Sequence, residues 1–140
     1  MDNKKVLVVK PILENKDIKL DFNTDSFVDY IDMRAFVDGP IELLAIPIII
    51  EGIYYDVFLN EEGKFIEELL PSIVLLNNGK LYDVVMGNFF VSKSNDEGES
   101  VDLSYEEINK IKKFITNNIC SLEYEIDESI VTCNLLKLSY

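Results

Sequence analysis

Between Gly39 and Ser92 the chain is cut by tight-turn signals into short apolar segments, most of which read as strands. Gly39-Pro40, Glu51-Gly52, Asn60-Glu61-Glu62-Gly63 and Asn77-Asn78-Gly79 bound these segments. The longest, Ile41–Ile50, is interrupted by Glu42 and Pro47. It is far short of the roughly 20 residues a membrane helix needs. Proline cannot donate to a ladder, so the segment is expected to split or bend at Pro47. Ile53–Leu59 is apolar on both faces, which suits a central strand or a strand with one face given to a partner. Gly63 is expected at positive φ in the turn that follows. Phe65–Leu70 reads as a helical turn ending before Pro71. Ile73–Leu76 and Leu81–Met86 form a hairpin across Asn77-Asn78-Gly79. Gly87 marks a bulge or a close backbone approach. Asn88–Ser92 is a further strand with Phe89 and Phe90 on opposite faces, and Ser92–Ser100 is a polar, acidic loop.

The flanking regions hold the helices. Val6–Val9 is a short strand bounded by Lys10-Pro11, and Asp17–Phe22 alternates as a half-exposed strand. Thr24 or Asp25 is expected to cap a first helix. Its apolar stripe is Phe27, Tyr30, Ile31 and Ala35, with Arg34 on or beside the stripe and Gly39-Pro40 as the stop. The second helix is signalled more strongly. Ser104 and Glu107 form a capping box. Ile108, Ile111, Ile115 and Ile119 make one stripe, backed by Phe114 and a Glu106–Lys110 pair. The tail reads as a hairpin turning at Asp127-Glu128-Ser129. Leu122, Tyr124, Ile126, Ile130, Leu136 and Leu138 would then share one face. Glu123, Glu125, Val131, Cys133, Leu135 and Lys137 would share the other. Cys120 and Cys133 fall on opposite faces in that register, so no bridge is expected. The expected fold is α+β: a mostly antiparallel sheet with two helices packed on it, plus a C-terminal β-hairpin. Residues 1–118 make the domain. Residues 119–140 are the hairpin extension, either part of that domain or an oligomer contact.

Composition narrows function by exclusion. The chain has 140 residues, 26 acids against 13 bases, a formal charge of −13, no histidine and no tryptophan. Such a charge repels nucleic acid, whose binding depends on lysine and arginine. Without histidine there is no side chain with an unperturbed pKa near neutrality, so a base would have to be a carboxylate raised by burial. Glu42, Asp56, Asp83 and Glu67/Glu68 lie near apolar stretches, and with so many acids that proximity is expected by chance. Neither a nucleophile elbow nor a glycine-rich phosphate loop is present. Two cysteines alone do not make a zinc site. No enzyme activity, metal or cofactor is expected. The apolar stretch after Met1 is too short for a signal peptide, and a cytoplasmic location is expected.

What remains is binding. Arg34 is the only arginine. A guanidinium beside an apolar stripe would hold a phosphate or carboxylate bidentately, although a surface arginine paired with Asp29 or Asp38 gives the same pattern. Lys10, before a proline at a strand end, and Lys64, after a turn glycine, would approach phosphates. Tyr54, Tyr55, Tyr82, Phe89 and Phe90 would stack on a base, while strand alternation sends half of them into the core. Asn60 and Asn88 sit in glycine-marked turns and would serve turn geometry or base edges.

Five segments, VLVVKP (6–11), GPIE (39–42), LNEEGK (59–64), LYDVVMGNFFV (81–91) and VDLSYEEINKI (101–111), resemble in order and spacing a family of small proteins of phages and conjugative elements. That family is classed as a domain of unknown function. The stretch Ile48–Asp56 looks longer than its pattern, and the hairpin after Asn118 looks like an addition. The resemblance supplies no catalytic residues. It implies an accessory gene of a mobile element in a low-GC bacterium, in a setting where small proteins counter host defence. The first expectation is therefore a counter-defence protein that binds and sequesters a small nucleotide-derived immune signal without chemistry, through Arg34, Lys10, Lys64, Asn60, Tyr54, Tyr82, Asn88 and Phe90. The alternative is an acidic DNA mimic that inhibits a host restriction or CRISPR enzyme, with a host defence protein as partner. A structural adaptor is a third possibility. A homo-oligomer is expected from Ile48-Ile49-Ile50 and from the second face of the tail hairpin.

Overall fold

The computed structural model describes residues 4–66 and 69–139. Four two-residue hairpin turns organise the strands. β1 (Lys4–Glu14) and β2 (Asp17–Phe27) pair along their whole length across Asn15-Lys16. β4 (Ile48–Ile50) and β5 (Ile53–Asn60) turn at Glu51-Gly52. β6 (Pro71–Asn77) and β7 (Lys80–Met86) turn at Asn78-Gly79. β10 (Ile119–Ile126) and β11 (Ser129–Leu138) turn at Asp127-Glu128. All eight turn residues have positive φ, as a turn matching the strand twist requires. β3 (Ile41–Leu43) also pairs with β5, and β8 (Phe89–Ser94) joins β5 to β1. β9 (Ser100–Val101) pairs with β8. The helices are α1 (Tyr30–Val37) and α2 (Tyr105–Asn118), with a single 3-10 turn at Gly63–Phe65.

The fold is mixed α+β, but the sheet is not purely antiparallel. β11 runs parallel to both β6 and β2. It joins two sub-sheets, β3-β5-β8-β1-β2 on one side and β7-β6-β11-β10 on the other. The inner faces of the two enclose the main core, which contains Leu7, Val9, Tyr55, Val57, Ile73, Val85, Phe89 and Leu136. Ile108, Ile111 and Ile115 of α2 enter this core and are fully buried. Each such isoleucine stabilises the fold by about 1.5–3 kcal/mol. The Ser104–Glu107 capping box forms as expected and satisfies two orphan amides at the start of the helix. A void of about 10 Å³ in this core, between Leu44, Ile73, Phe89 and Leu136, has room for about one water molecule.

Several elements depart from the sequence reading. β1 and β2 are each far longer than expected, because Pro11 is no obstacle there. β8 pairs with β1 only at Leu7–Val9, so Pro11 lies where that edge is free and needs no donor. α1 starts later than expected, capped by Asp29, whose carboxylate accepts from the Ile31 and Asp32 amides. Phe27 is the last residue of β2 and packs with Phe36 and Phe90. The buried side of α1 is Met33, Phe36 and Val37, so the Tyr30/Ile31/Ala35 stripe faces solvent. The chain does leave the ladder before Pro47, splitting Ile41–Ile50 into β3 and β4. Gly63 does not have positive φ; its requirement is space, since an added Cβ would meet the Met86 carbonyl at 3.2 Å. Gly87 is a close approach at positive φ, packed on Leu69. The expected helical turn Phe65–Leu70 lies partly outside the described residues.

The tail hairpin has a two-residue loop, which shifts its register by one. Leu122 pairs with Cys133 and Tyr124 with Val131. Val131 and Cys133 therefore join Leu122, Tyr124 and Ile126 on one face, against Ile18 and Val74. Cys120 falls on the same face as Cys133 and not on the opposite one, and both thiols are free. Ile48 is buried in the main core. The apolar surfaces that suggested an oligomer are thus largely covered within the chain.

Where β2 and β6 meet the same edge of β11, Asn134 closes the gap. Its side-chain amide donates to the Ile18 carbonyl at 3.0 Å and to the Ser72 carbonyl at 3.3 Å. Asn134→Ala leaves both carbonyls without that donor and is expected to cost about 1–3 kcal/mol in urea denaturation. Ser92 is the contrasting case: its buried hydroxyl has no hydrogen-bond partner among the described residues. Ser92→Ala is expected to be neutral or stabilising in the same assay, and a loss above about 1 kcal/mol would show that the hydroxyl has a partner.

Candidate functional site

Five of the eight expected ligand residues surround the C-terminal half of α1, but three of them hold the helix in place. Asn60 is buried at the end of β5. Its amide donates to the carbonyls of Val37 and Asp38, both at 3.1 Å, and its oxygen accepts from the Glu62 amide at 2.8 Å. Gly39 follows from this clamp, since a Cβ there would lie 2.6 Å from the Asn60 nitrogen. Asn88 donates to the Phe36 carbonyl at 3.0 Å. Phe90 is fully buried, stacked on Phe58 at 5.1 Å and edge-on to Phe27 at 5.0 Å. Asn60 and Phe90 are therefore parts of the core, and the Asn88 amide is committed to the backbone. The expectation that these three contact a ligand does not fit the geometry.

Lys10 is exposed on β1, its ammonium 5.7 Å from the Phe36 ring. Arg34 lies in the last turn of α1 and is exposed, over the Tyr30 ring at 5.8 Å. Arg34 and Tyr30 line an open depression with Ile31, Ala35, Asp38 and Gly39. Arg34 forms no ion pair among the described residues, with Asp29 or Asp38 included. Tyr30 and Ile31 are 54% and 74% exposed, so this face sets a guanidinium, an aromatic ring and an apolar side chain beside the Asp38 carboxylate. The periodicity singled out Tyr30 and Ile31 as core. The signal that would have turned them outward was Asp29, a better-placed cap than Thr24 or Asp25 for a helix buried through Met33, Phe36 and Val37.

The other expected residues lie elsewhere. Tyr54 is exposed on the β4–β5 hairpin, with Ile49 opposite. Tyr82 packs against the main core from β7. Lys64 is paired with Asp83, whose carboxylate also accepts from the Val84 amide at 2.8 Å. Tyr55 and Phe89 are buried in the main core. Among the carboxylates considered as bases, Asp56 accepts from the Ser94 hydroxyl at 3.2 Å, Glu42 is half-buried on β3, and Glu67/Glu68 lie outside the described residues. No metal-binding cluster of acids or cysteines occurs among the described residues.

One polar cluster escaped the sequence reading. Glu107, at the start of α2, accepts from the Tyr55 hydroxyl at 2.9 Å and from Lys93 at 2.8 Å, besides capping Ser104. Residues 52 and 14 positions away carry no local signal for such a contact. Burial works to raise the Glu107 pKa, but the Lys93 ammonium, the Ser104 backbone and the Tyr55 hydroxyl outweigh it and bring it to about 2. Burial and the neighbouring Glu107 push the Tyr55 hydroxyl up to about 12. Burial also raises the Cys133 thiol, and the Glu51 carboxylate raises Lys110. Each displaced group is moved away from neutral pH, whereas a general acid or base is tuned toward it.

The Glu107 carboxyl is depressed in the folded state. The stability it supplies is therefore complete above its ordinary pKa of 4.5 and is lost as pH falls toward about 2. Urea midpoints measured from pH 7 to pH 3 should fall less steeply for Glu107→Gln than for the parent chain. Equal slopes would show that Glu107 has the same affinity for a proton in both states.

No helix of the described residues is long and apolar enough to cross a membrane. No curated protein and no solved structure matches the chain. A family model does: residues 4–116 match the one described as Domain of unknown function (DUF3846), with β10 and β11 beyond the matched segment. With most of its length matched, the chain belongs to the DUF3846 domain family.

Proposed function

We propose that this protein is a non-catalytic capture protein of a phage or other mobile element. In this reading it works in the cytoplasm of a bacterial host and sequesters a small nucleotide-derived immune signal. The observation that carries the reading is the Arg34–Tyr30 pair on the open face of α1. The only guanidinium of the chain is solvent-facing and free of ion pairs among the described residues, beside an exposed ring and an exposed isoleucine. That combination suits an anion joined to a flat base: Arg34 for phosphate oxygens, Tyr30 for stacking, Lys10 on the same side of the sheet as a second cation. The overall charge of −13 opposes the approach of a phosphate at long range. At contact distance only the local groups count, Arg34 with Lys10 against the Asp38 carboxylate of the same depression, because exposed charges beyond about 8 Å are screened at physiological salt. The displacement of titrating groups away from neutrality supports binding over chemistry.

The alternative reading, an acidic inhibitor that mimics DNA, draws on the tip of the β10–β11 hairpin. Glu123, Glu125, Asp127 and Glu128 are all exposed there. Alternate residues of a strand lie about 7 Å apart, so Glu123 and Glu125 start a row of carboxylates.

A thermal-shift panel of linear and cyclic nucleotides, followed by calorimetry, tests the first reading. One nucleotide class should stabilise the protein and be recovered unaltered after heat release. Arg34→Ala should weaken binding by about tenfold to a hundredfold and Tyr30→Ala by a similar factor. Both side chains are exposed, so both variants should keep the parent melting temperature without ligand. If no nucleotide shifts the melting temperature and a host nuclease co-purifies with the chain, the inhibitor reading takes its place.

A further inference from the structure

We infer that the outer face of α2 is a docking surface for the acidic hairpin of a second copy of this chain. The face is a trough lined by Asn109, Lys110, Lys112, Lys113, Thr116 and Asn117, with Glu106 at one end. Lys110 is already held by Glu51 at 2.8 Å and Glu106 at 3.4 Å. Lys112 and Lys113 have no carboxylate within ion-pair distance among the described residues. In a chain with 26 acids and 13 bases, two adjacent lysines without an acid against them leave a local positive surface. The complementary surface is on the same chain. Glu123, Glu125, Asp127 and Glu128 crowd the end of the next hairpin, all exposed and none in an ion pair among the described residues.

The connection between the two surfaces favours a copy of the chain over an unrelated partner. α2 ends at Asn118 and β10 begins at Ile119, so lysine face and acidic strand are consecutive. A two-fold axis near that junction would let each copy lay its hairpin on the other's helix, which makes the contact twice and closes the dimer. The dimensions are compatible: Lys110 to Asn117 spans about 10 Å of helix, and Glu123 to Glu125 about 7 Å of strand, with Asp127 and Glu128 in the turn beyond. Ile130, paired with Glu125 and 59% exposed, adds an apolar element beside the acids. β10 also pairs with nothing but β11 among the described residues, so this edge is open for approach. Such a dimer covers the carboxylate row on which the inhibitor reading depends, and it does not depend on nucleotide capture.

Charge exchange tests this directly. By light scattering across a concentration series, the parent chain should show twice the monomer mass. Lys112→Glu with Lys113→Glu should give a monomer, as should Glu123→Lys with Glu125→Lys. Mixing the two double variants should restore the dimer mass, an outcome that misfolded variants would not produce. A parent chain that stays monomeric throughout the series overturns the inference. So does a dimer that survives either double variant, or a failure of the mixed variants to associate while each keeps the parent circular dichroism spectrum.

Discussion

The structure depends most on how β11 shares one edge between two strands. β6 takes that edge from Asn134 to Leu138, and β2 reaches it only at Thr132, whose amide donates to the Lys16 carbonyl at 2.7 Å. Where the two strands diverge, main-chain carbonyls would be buried without donors, a cost of about 1–3 kcal/mol for each. The Asn134 amide supplies both donors from one side chain, and Ser72 is satisfied separately through the Gly87 carbonyl. Leu136 and Leu138 then enter the main core from the same strand. The residues beyond the family match are thus structural. Residues 4–116 alone leave β6 with β7 as its one neighbour and remove two leucines from the core.

A similar economy explains why so few polar side chains remain for function. The residues that look like ligand contacts in the sequence, an asparagine beside a glycine or a lysine after a turn, are those that turns and helix ends need for themselves. Asn60 shows this most fully. It makes three hydrogen bonds, ends α1, orients the following turn and forbids a side chain at position 39. A buried amide with all its main partners in place has nothing left to offer a base edge. Once such groups are set aside, the exposed groups without a structural task include Arg34 with Tyr30, Lys112 with Lys113 on α2, and the carboxylates of the last hairpin.

How much of this was legible follows from which signals are local. α2 was readable because its cap, its isoleucine stripe and its charge order all lie within fifteen residues and agree. The β4–β5 and β6–β7 hairpins were readable because glycine announces the positive φ their turns need. The other two turns, Asn15-Lys16 and Asp127-Glu128, take the same conformation without glycine, so the first hairpin went unseen and the last was read one residue out of register. That single step reassigned Val131 and Cys133 from a free face to a buried one. α1 failed for another reason. It is eight residues long and packs through Met33, Phe36 and Val37, and a stripe of Tyr30, Ile31 and Ala35 scores equally well on periodicity. Only the tertiary position of Phe27, in an aromatic group with Phe36, Phe58 and Phe90, fixes which stripe is buried. The Glu107 cluster was invisible because it joins three distant segments.

The net charge sets the terms for any activity this fold has. A body at −13 repels polyanions, so an anionic ligand or a second copy must be recognised at short range, after screening has removed the long-range penalty. That requires cations placed where no acid neutralises them. Lys64, Lys93 and Lys110 are committed to Asp83, Glu107 and Glu51. The helices present cations on their outward faces, Arg34 on α1 and Lys112 with Lys113 on α2, while the strands expose Lys10, Lys19, Lys80 and Lys137. On a strand, alternation and cross-strand pairing bring a base opposite an acid, as Lys10 opposite Asp21 shows. A helix packed by one stripe leaves a face with no opposing element. The outward faces of the two helices are therefore the surfaces on which both proposed contacts rest.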